Sequence, residues 1–386
     1  MTANYNIERV ENNLKALTEL QSKHPNADIL KKYSGWGGLR NAIFTPEIYR
    51  VLKKHLSDEQ ISSIKKTTTN AYYTPGRIIE FIYEALKLLD KPFETILEPS
   101  AGHGAFLELM PASLKEKAKL YAIEIDEISR RLLKQLYPGV MLVKGGFEDN
   151  HPAMKFDLIV GNPPYGREVL QDKHHEDLSN LRIHHYFVAK SMRLLKPGGV
   201  LAMVLPRFFM DNRRDHAREI IANDNARLLA AYRLPDNLFV DAKVMVDVVF
   251  LVKETGDKSW IHTDKIIVDN EALYINRYFS QNPSHVFGQL CAVEAYGRPE
   301  LTCKAKDGED IFQQLFKQLE FFPPEQMPSM EEYKVLIAKR KRAIDVEMQS
   351  LTQFKHQLME AEKNIQMMER QVLKDCSSKF NLANLL

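Results

Sequence analysis

Cysteine is scarce in this sequence: Cys291, Cys303 and Cys376 are the only three in 386 residues, and no two form a CxxC pair. A disulfide framework and a thiolate zinc site are therefore not expected, and a reducing compartment fits. Long hydrophobic runs are missing too. No segment is apolar enough to span a membrane and no secretory signal is recognisable, so the expectation is a cytoplasmic protein without membrane contact. Nor does charge of one sign dominate: 53 Lys and Arg against 51 Asp and Glu leave +2. Any nucleic-acid surface must then be local rather than a property of the whole chain. The 44% hydrophobic content supports a sizeable core, and the length suits two or three domains.

What is present is one stretch around which the rest is organised, Asp157-Leu-Ile-Val-Gly-Asn-Pro-Pro-Tyr-Gly166. Asp157 to Val160 is a short apolar run of the kind buried in a parallel sheet. The two prolines fix their own φ and push Asn162 and Pro163 towards extended backbone, which rules out a helix here. The carbonyls of this segment can then point into a pocket. Asn162 adds a side-chain oxygen, Pro163 a carbonyl and Tyr165 a flat ring, a set suited to a planar ring that bears an amino group. An ordinary turn after a strand is the plain alternative, and a ligand site upstream would decide between them.

Such a site is legible. Thr95-Ile-Leu-Glu-Pro-Ser-Ala-Gly-His-Gly-Ala-Phe-Leu107 reads as strand, glycine loop and helix. Gly102 and Gly104 let a ligand approach the backbone and leave N–H groups exposed at a helix start. Leu120 to Ile125 makes a second strand carrying Glu124, twenty residues beyond Gly104 (124 − 104), the spacing at which an acid takes a ribose diol. Met141 to Val143 is a third strand, and the run into Asn162 a fourth. In a doubly wound sheet ordered 3-2-1-4-5, strands one and four adjoin where the winding reverses. The glycine loop and the Asn162 loop would face each other across one crevice. The expected class is α/β, with a mostly parallel, Rossmann-like sheet holding a nucleoside-containing cofactor beside an amine-bearing ring.

The remaining chain frames that domain. Residues 1–70 carry helix-period apolar positions such as Val10, Leu14, Leu17 and Leu20. Within them, Tyr33-Ser-Gly-Trp-Gly-Gly-Leu39 sets three glycines around Trp36, read first as a structural plug and second as a ligand contact. Tyr72-Tyr-Thr-Pro-Gly76 opens a helix with Thr74 as N-cap and Pro75 in its first turn, or closes one side of the cofactor pocket. Residues 167–182 are charged and aperiodic and read as a mobile loop beside the pocket. His174, His175, His184 and His185 are poorly spaced to share one ion, and no metal is expected. Val200–Leu205, Leu228–Leu234 and Val244–Val252 supply further strands, and the helix before them is taken to end at Lys196-Pro-Gly-Gly199. Arg207, Arg213, Arg214 and Arg218 suit a solvated face and phosphate contacts equally.

The expected boundaries are a helical region at 1–70, the sheet domain at 71–256, a small accessory region at 257–320, a proline-rich linker at 321–329 and a long helix over 330–386. The stripe Ile344, Met348, Leu351, Leu358, Ala361, Ile365, Met368 and Val372 slips in phase near Phe354. It suits packing on its own domain, self-association or a partner helix. The run Lys339-Arg-Lys-Arg342 reads as a solvated face before DNA-backbone contact.

Together, Thr74-Pro75, Glu98-Pro-Ser-Ala-Gly-His-Gly104, Glu124 and Asn162-Pro-Pro-Tyr165 resemble the motif order of gamma-type N6-adenine DNA methyltransferases, over roughly residues 72 to 253. A closer likeness joins Ser34-Gly-Trp-Gly-Gly-Leu39, Ala71-Tyr-Tyr-Thr-Pro75, Met210-Asp211 and Arg233-Leu-Pro235 to the methylase part of phage and mobile-element methylase–helicase antirestriction proteins. The resemblance implies a class I S-adenosylmethionine-dependent fold, with S-adenosyl-L-methionine held by Thr74, Pro75, Glu98, Ser100, Gly102, Gly104, Glu124 and Phe147. The catalytic set it implies is Asn162, Pro163, Pro164 and Tyr165. The family's acid before Phe147 is replaced by Gly146, and Asp149 is the expected substitute.

The implied reaction is methylation of adenine N6 in DNA, in a modification or antirestriction role with a separate helicase or specificity partner. Asn162 and Pro163 would bind the two N–H groups of the amine by positioning and electrostatics, without covalent catalysis. The flipped base would stack on Tyr165. Two rivals stay open. One is a protein-glutamine or RNA amino-methyltransferase, the other a non-catalytic DNA-binding subunit of a modification complex. No target-recognition domain is recognisable after residue 253.

Overall fold

Seven runs dominated by aliphatic and β-branched residues build one sheet, because strands covered on both faces need apolar side chains on both. They are β1 (Thr95–Glu98), β2 (Lys119–Glu124), β3 (Met141–Lys144), β4 (Phe156–Gly161), β5 (Leu195–Pro206), β6 (Ala226–Leu234) and β7 (Val246–Lys253). Their spatial order is β3-β2-β1-β4-β5-β7-β6, parallel from β3 to β5, with β7 antiparallel to both β5 and β6. The expected 3-2-1-4-5 order is thus present. The winding reverses between β1 and β4, where Ile96 lies opposite Leu158 and Leu97 opposite Ile159. The computed structural model describes residues 2–37, 39, 45–70, 73–214, 216–239, 244–295, 297–322 and 330–379. Contacts divide them between one unit, Met1–Glu325, and a second, Gln326–Leu386.

Both faces of the sheet are covered. One core contains Leu97, Ile159, Leu201 and the buried face of the helix Ile183–Leu194. The other contains Ile96, Leu158, Val160 and the helix Gly76–Lys87, which buries seven side chains. The N-terminal helices Thr2–Glu19, Pro46–His55 and Asp58–Asn70 form a third core. In it Val10, Leu17, Tyr33, Trp36 and Leu52 pack on Ile128 and Leu132 of the helix Glu127–Leu136. That contact fastens the N-terminal region to the end of β2.

Several expectations need correction. Lys196-Pro-Gly-Gly199 does not end a helix: the preceding helix stops at Leu194, and β5 already begins at Leu195, opposite Phe156. The register slips between Phe156 and Leu158, which absorbs the proline and glycines as an irregularity. Residues 167–182 are fastened rather than loose, because Asp172 accepts from Lys190 Nζ (2.8 Å) and Tyr186 Oη (2.6 Å). It also accepts from the backbone N–H of His174 (2.9 Å) and His175 (3.1 Å). Four donors hold its carboxyl well below the usual carboxylate range in spite of desolvation.

The four arginines also behave differently from one solvated face. Arg218 is fully buried and donates to the carbonyls of Ile261, Phe209 and Asn212, while Arg207 pairs with Glu300. The described part of residues 257–320 contains two hairpins, β8–β9 (Thr263–Val268, Glu271–Asn276) and β10–β11 (Gln289–Ala295, Arg298–Lys304), with short helices at Arg277–Gln281 and Ile311–Lys317, within the first unit. The first is locked by Asn276, whose side chain donates to Met210 and Trp260 carbonyls and whose N–H donates to Asp211. Asp211 and Asp247 flank the fully buried Arg233. The Met210-Asp211 and Arg233-Leu-Pro235 motifs therefore tie this hairpin to the sheet.

The second unit contains one continuous helix, Met330–Lys379, unbroken through Phe354. Most of the expected linker, and Tyr72, lie outside the described residues. Among the described residues no helix is long and apolar enough to cross a membrane.

Candidate active site

Strands that end at the same sheet edge deliver their next residues to one place, which is why the crevice forms at the carboxyl ends of β1, β2 and β4. A cavity of about 270 Å³ lies there, near the lower end of small-molecule sites. Its walls include Glu98, Ser100, Gly102 and His103 after β1, Glu124 to Asp126 after β2, Gly145 to Glu148 after β3, and Asn162 to Pro164 after β4. The sequence thus located most of the cavity, and the structure brings its separate motifs together.

The loops brace one another. Glu124 Oε2 accepts from the N–H of Gly102 (2.6 Å) and Oε1 from that of Asp126 (2.7 Å). Ser100 Oγ donates to the Asn162 carbonyl (3.2 Å), which links the glycine loop to the Asn-Pro-Pro segment. Gly102 takes φ +54°, a conformation that favours glycine. Burial dominates the electrostatics. It pushes the Glu124 carboxyl up to about 7 against two backbone hydrogen bonds, and raises Glu98, beside Glu124, well above the carboxylate range. It lowers His103 to about 4, helped by the Arg9 guanidinium.

Four of the residues named from the sequence, Pro75, Gly104, Asp149 and Tyr165, lie outside the wall. Thr74 lines the cavity but is not the N-cap: Pro75 takes that position, without a side-chain cap and outside the wall, and the helix starts at Gly76. Gly104 is not in the wall either. Its φ is +89°, and an added Cβ would lie 2.7 Å from Leu133 Cδ2, so it serves helix packing. Asp149 is outside the cavity, whereas Glu148 borders it. Tyr165 is 7% exposed, its hydroxyl donates to the Val204 carbonyl (3.2 Å), and its ring packs in the core rather than facing the cavity. Phe147 does line it, with its ring under Lys190 Nζ at 4.9 Å.

The N-terminal region and the segment that follows it supply a further wall, so the Trp36 turn borders the cavity as well as plugging a core. Trp36, Tyr33 and Tyr73 all border the cavity, while Trp36 and Tyr33 also belong to the third core. The Trp36 segment is held by Arg9, which donates to Ser34 Oγ (3.1 Å) and the Gly37 carbonyl (3.1 Å). Asn13 adds a donor to the Gly35 carbonyl (2.6 Å) and an acceptor for the Ser34 N–H (2.9 Å). Gly35 has φ +67°, and a Cβ there would fall 1.7 Å from the Tyr73 hydroxyl. Only glycine allows that approach. Tyr33, Glu148, Leu170, Ile183 and Phe187 were not anticipated as wall residues, although Glu148 sits next to Phe147 in sequence.

The Thr74 hydroxyl and Glu98 Oε2, both buried in the wall, make no hydrogen bond among the described residues. Buried polar atoms are usually satisfied, so a ligand with matching groups fits here. The histidine cluster differs. His151, Asp172 and His175 bring ligand atoms within 4.8 Å of one another. Lys190 already sits on Asp172 at 2.8 Å, and Arg193 lies 3.2 Å from His175 Nδ1. Their positive charge opposes a cation at this position.

The sheet order, the glycine loop and the acid at the end of β2 define a doubly wound, Rossmann-like α/β domain, the architecture expected for a class I S-adenosylmethionine-dependent methyltransferase. Residues 105–234, a third of the chain, match the family model of the Eco57I restriction-modification methylase. It is 26% identical over 260 residues to Defense against restriction protein B of Escherichia phage P1, covering 66% of this chain and 11% of that protein. It is 25% identical over 280 residues to the type II methyltransferase M.HincII of Haemophilus influenzae, covering 65% and 53%. Among solved structures, the methyltransferase subunit of a type I restriction-modification system from Streptococcus thermophilus matches with TM-score 0.44 and 13% identity, over 76% of this chain and 61% of that one. The chain thus spans about half the length, or much less, of these curated relatives.

Proposed function

We propose that this protein transfers a methyl group from S-adenosyl-L-methionine to the N6 amine of adenine in DNA. The observation that carries the reading is the meeting of Asn162, Pro163 and Pro164 with the Gly102 loop and Glu124 around one cavity. DNA as the substrate is supported by the names of the curated relatives, which are restriction-modification and antirestriction proteins.

The wall residues suit the cofactor's separate parts. Glu124 would accept hydrogen bonds from the ribose hydroxyls. Glu98 and Thr74, with their unpaired buried oxygens, suit an ammonium and other polar groups of an amino-acid end. Phe147 and Ile125 offer apolar surface to a base, and Glu148 replaces Asp149 as the acid nearest that position. When bound, S-adenosylmethionine supplies an electrophilic methyl on a sulfonium and leaves as the neutral thioether.

The acceptor amine is a weak nucleophile because its lone pair is shared with the ring. Asn162 Oδ1 and the Pro163 carbonyl would accept its two N–H groups, favour a pyramidal nitrogen and direct the lone pair at the methyl carbon. As the C–N bond forms, the nitrogen gains positive charge, which the same two acceptors stabilise until its extra proton leaves to water. Ser100 fixes the Asn162 backbone for this task. Tyr165 would act by pinning the loop to β5 through Val204 rather than by stacking.

The test incubates the protein with methyl-labelled S-adenosylmethionine, DNA, RNA and protein in one mixture and then separates the polymers. Label in DNA supports the reading. Label only in RNA or on glutamine side chains moves the assignment to another amine or amide acceptor, and no binding of the cofactor by calorimetry sinks it.

A further inference from the structure

We propose that the helix Met330–Lys379 joins two copies of this chain as an antiparallel coiled coil. Its 50 residues span about 75 Å. Ile337, Ile344, Leu351, Leu358, Ile365 and Val372 recur at every seventh position, and Phe354, Ala361 and Met368 follow three residues after three of them. Counted through Ile337 and Phe354 in place of Met348, the stripe keeps one seven-residue phase without the slip, and such a repeat winds a helix around a second helix. Yet Leu351, Phe354, Leu358, Ile365, Met368 and Val372 are each 53 to 69% exposed. So many large apolar groups in one stripe are uncommon on a surface that stays in water.

Charge and size select the occupant and its direction. Lys355 and Glu362 occupy the same flanking position in successive repeats, immediately after Phe354 and Ala361. In an antiparallel pair centred between Met359 and Glu360, like flanking positions face each other, so Lys355 of each copy meets Glu362 of the other. In a parallel pair they would meet Ser350 and Gln357, which are uncharged. The seam agrees. Between Leu351 and Met368, antiparallel pairing sets Leu358 against Ala361, Leu351 against Met368 and Phe354 against Ile365, one large aliphatic side chain in each of these layers. Parallel pairing would stack Phe354 on Phe354 and Ala361 on Ala361, crowding one layer and leaving a void in the next. A second copy of the same helix therefore satisfies both the stripe between Leu351 and Met368 and its flanking charges.

The experiment is sedimentation equilibrium of the full chain and its variants, with label transfer followed in parallel. The wild type is expected to be a dimer. Leu358→Asp, which puts a carboxylate into the seam, should loosen it at least about a hundredfold. Glu362→Lys should weaken the dimer roughly tenfold by creating two like-charge contacts, and adding Lys355→Glu should restore it. A monomeric wild type, or a dimer indifferent to Leu358→Asp, would overturn the proposal. So would a dimer sensitive to Leu358→Asp but indifferent to the charge reversal, because it would be parallel. The outcome is independent of the methyl-transfer reading, which has its own assay.

Discussion

At the scale of single residues, Asn162 carries the proposed chemistry because its side chain acts on the acceptor amine rather than on the cofactor. Asn162→Ala should lower the single-turnover rate by about 10²- to 10³-fold, the effect of losing one preorganised polar contact in a transition state. Cofactor affinity by calorimetry should be unchanged. A parallel loss of cofactor binding would make Asn162 part of the cofactor site instead.

Glu124 gives a pH test. Its folded-state carboxyl is pushed up to about 7, against the usual 4.5, mainly by burial. Ribose hydroxyls donate to the ionised form, so binding must lower this value. Affinity should therefore rise with pH up to about 7 and level above it. Glu124→Gln should flatten that profile and weaken binding by ~1.5–3 kcal/mol, as for a lost charged hydrogen bond. The same burial acts oppositely on stability: the folded chain holds this proton longer than the unfolded one, so its contribution falls as pH rises from 4.5 to 7.

Residue-level reading of the sequence failed where identity alone does not fix direction. The motif made Tyr165 a stacking platform, but its hydroxyl bonds Val204 and its ring packs in the core. Tyr165→Phe, which stacking alone would tolerate, should instead cost ~0.5–1.5 kcal/mol in urea unfolding because the Val204 carbonyl loses its donor. Full stability in that variant would show the hydroxyl to be idle. Arg218 was unreadable for a similar reason, since nothing in its neighbours marks it as buried against three carbonyls.

At the scale of elements, legibility followed burial. β4 and β7 are nearly uniform apolar runs, β1 leads directly into a glycine loop, and the long helix has neither proline nor glycine, so all are visible in sequence. The hairpins β8–β9 and β10–β11 were not. One face of each remains in water, Ile267 for instance is 68% exposed, and their anchors are single polar residues such as Asn276. The Trp36 segment belongs between these cases. Its glycines marked a tight turn, while its place in the cavity wall depends on Tyr73, distant in sequence, approaching Gly35. Gly35→Ala combines a left-handed backbone with a clash against Tyr73 and should displace that wall, weakening cofactor affinity by roughly tenfold or more. Retention of wild-type affinity would show that the wall is not needed for binding.

At the scale of the whole molecule, the central sheet could be ordered from sequence because βα units have one preferred hand and one switch point. The joining of a helical N-terminal region to the β2 edge could not, since Ile128 and Leu132 read equally well as facing any neighbour. What the assembled molecule is proposed to do rests on a cavity that gathers a glycine loop, two acids and an Asn-Pro-Pro segment. The most direct measurement is to treat DNA with the protein and methyl-labelled cofactor, digest it to nucleosides and identify the labelled species by mass spectrometry. Label in N6-methyladenine is expected, forming about 10²- to 10³-fold more slowly with Asn162→Ala. Label in methylated cytosine, or in N6-methyladenine undiminished by Asn162→Ala, would contradict that expectation.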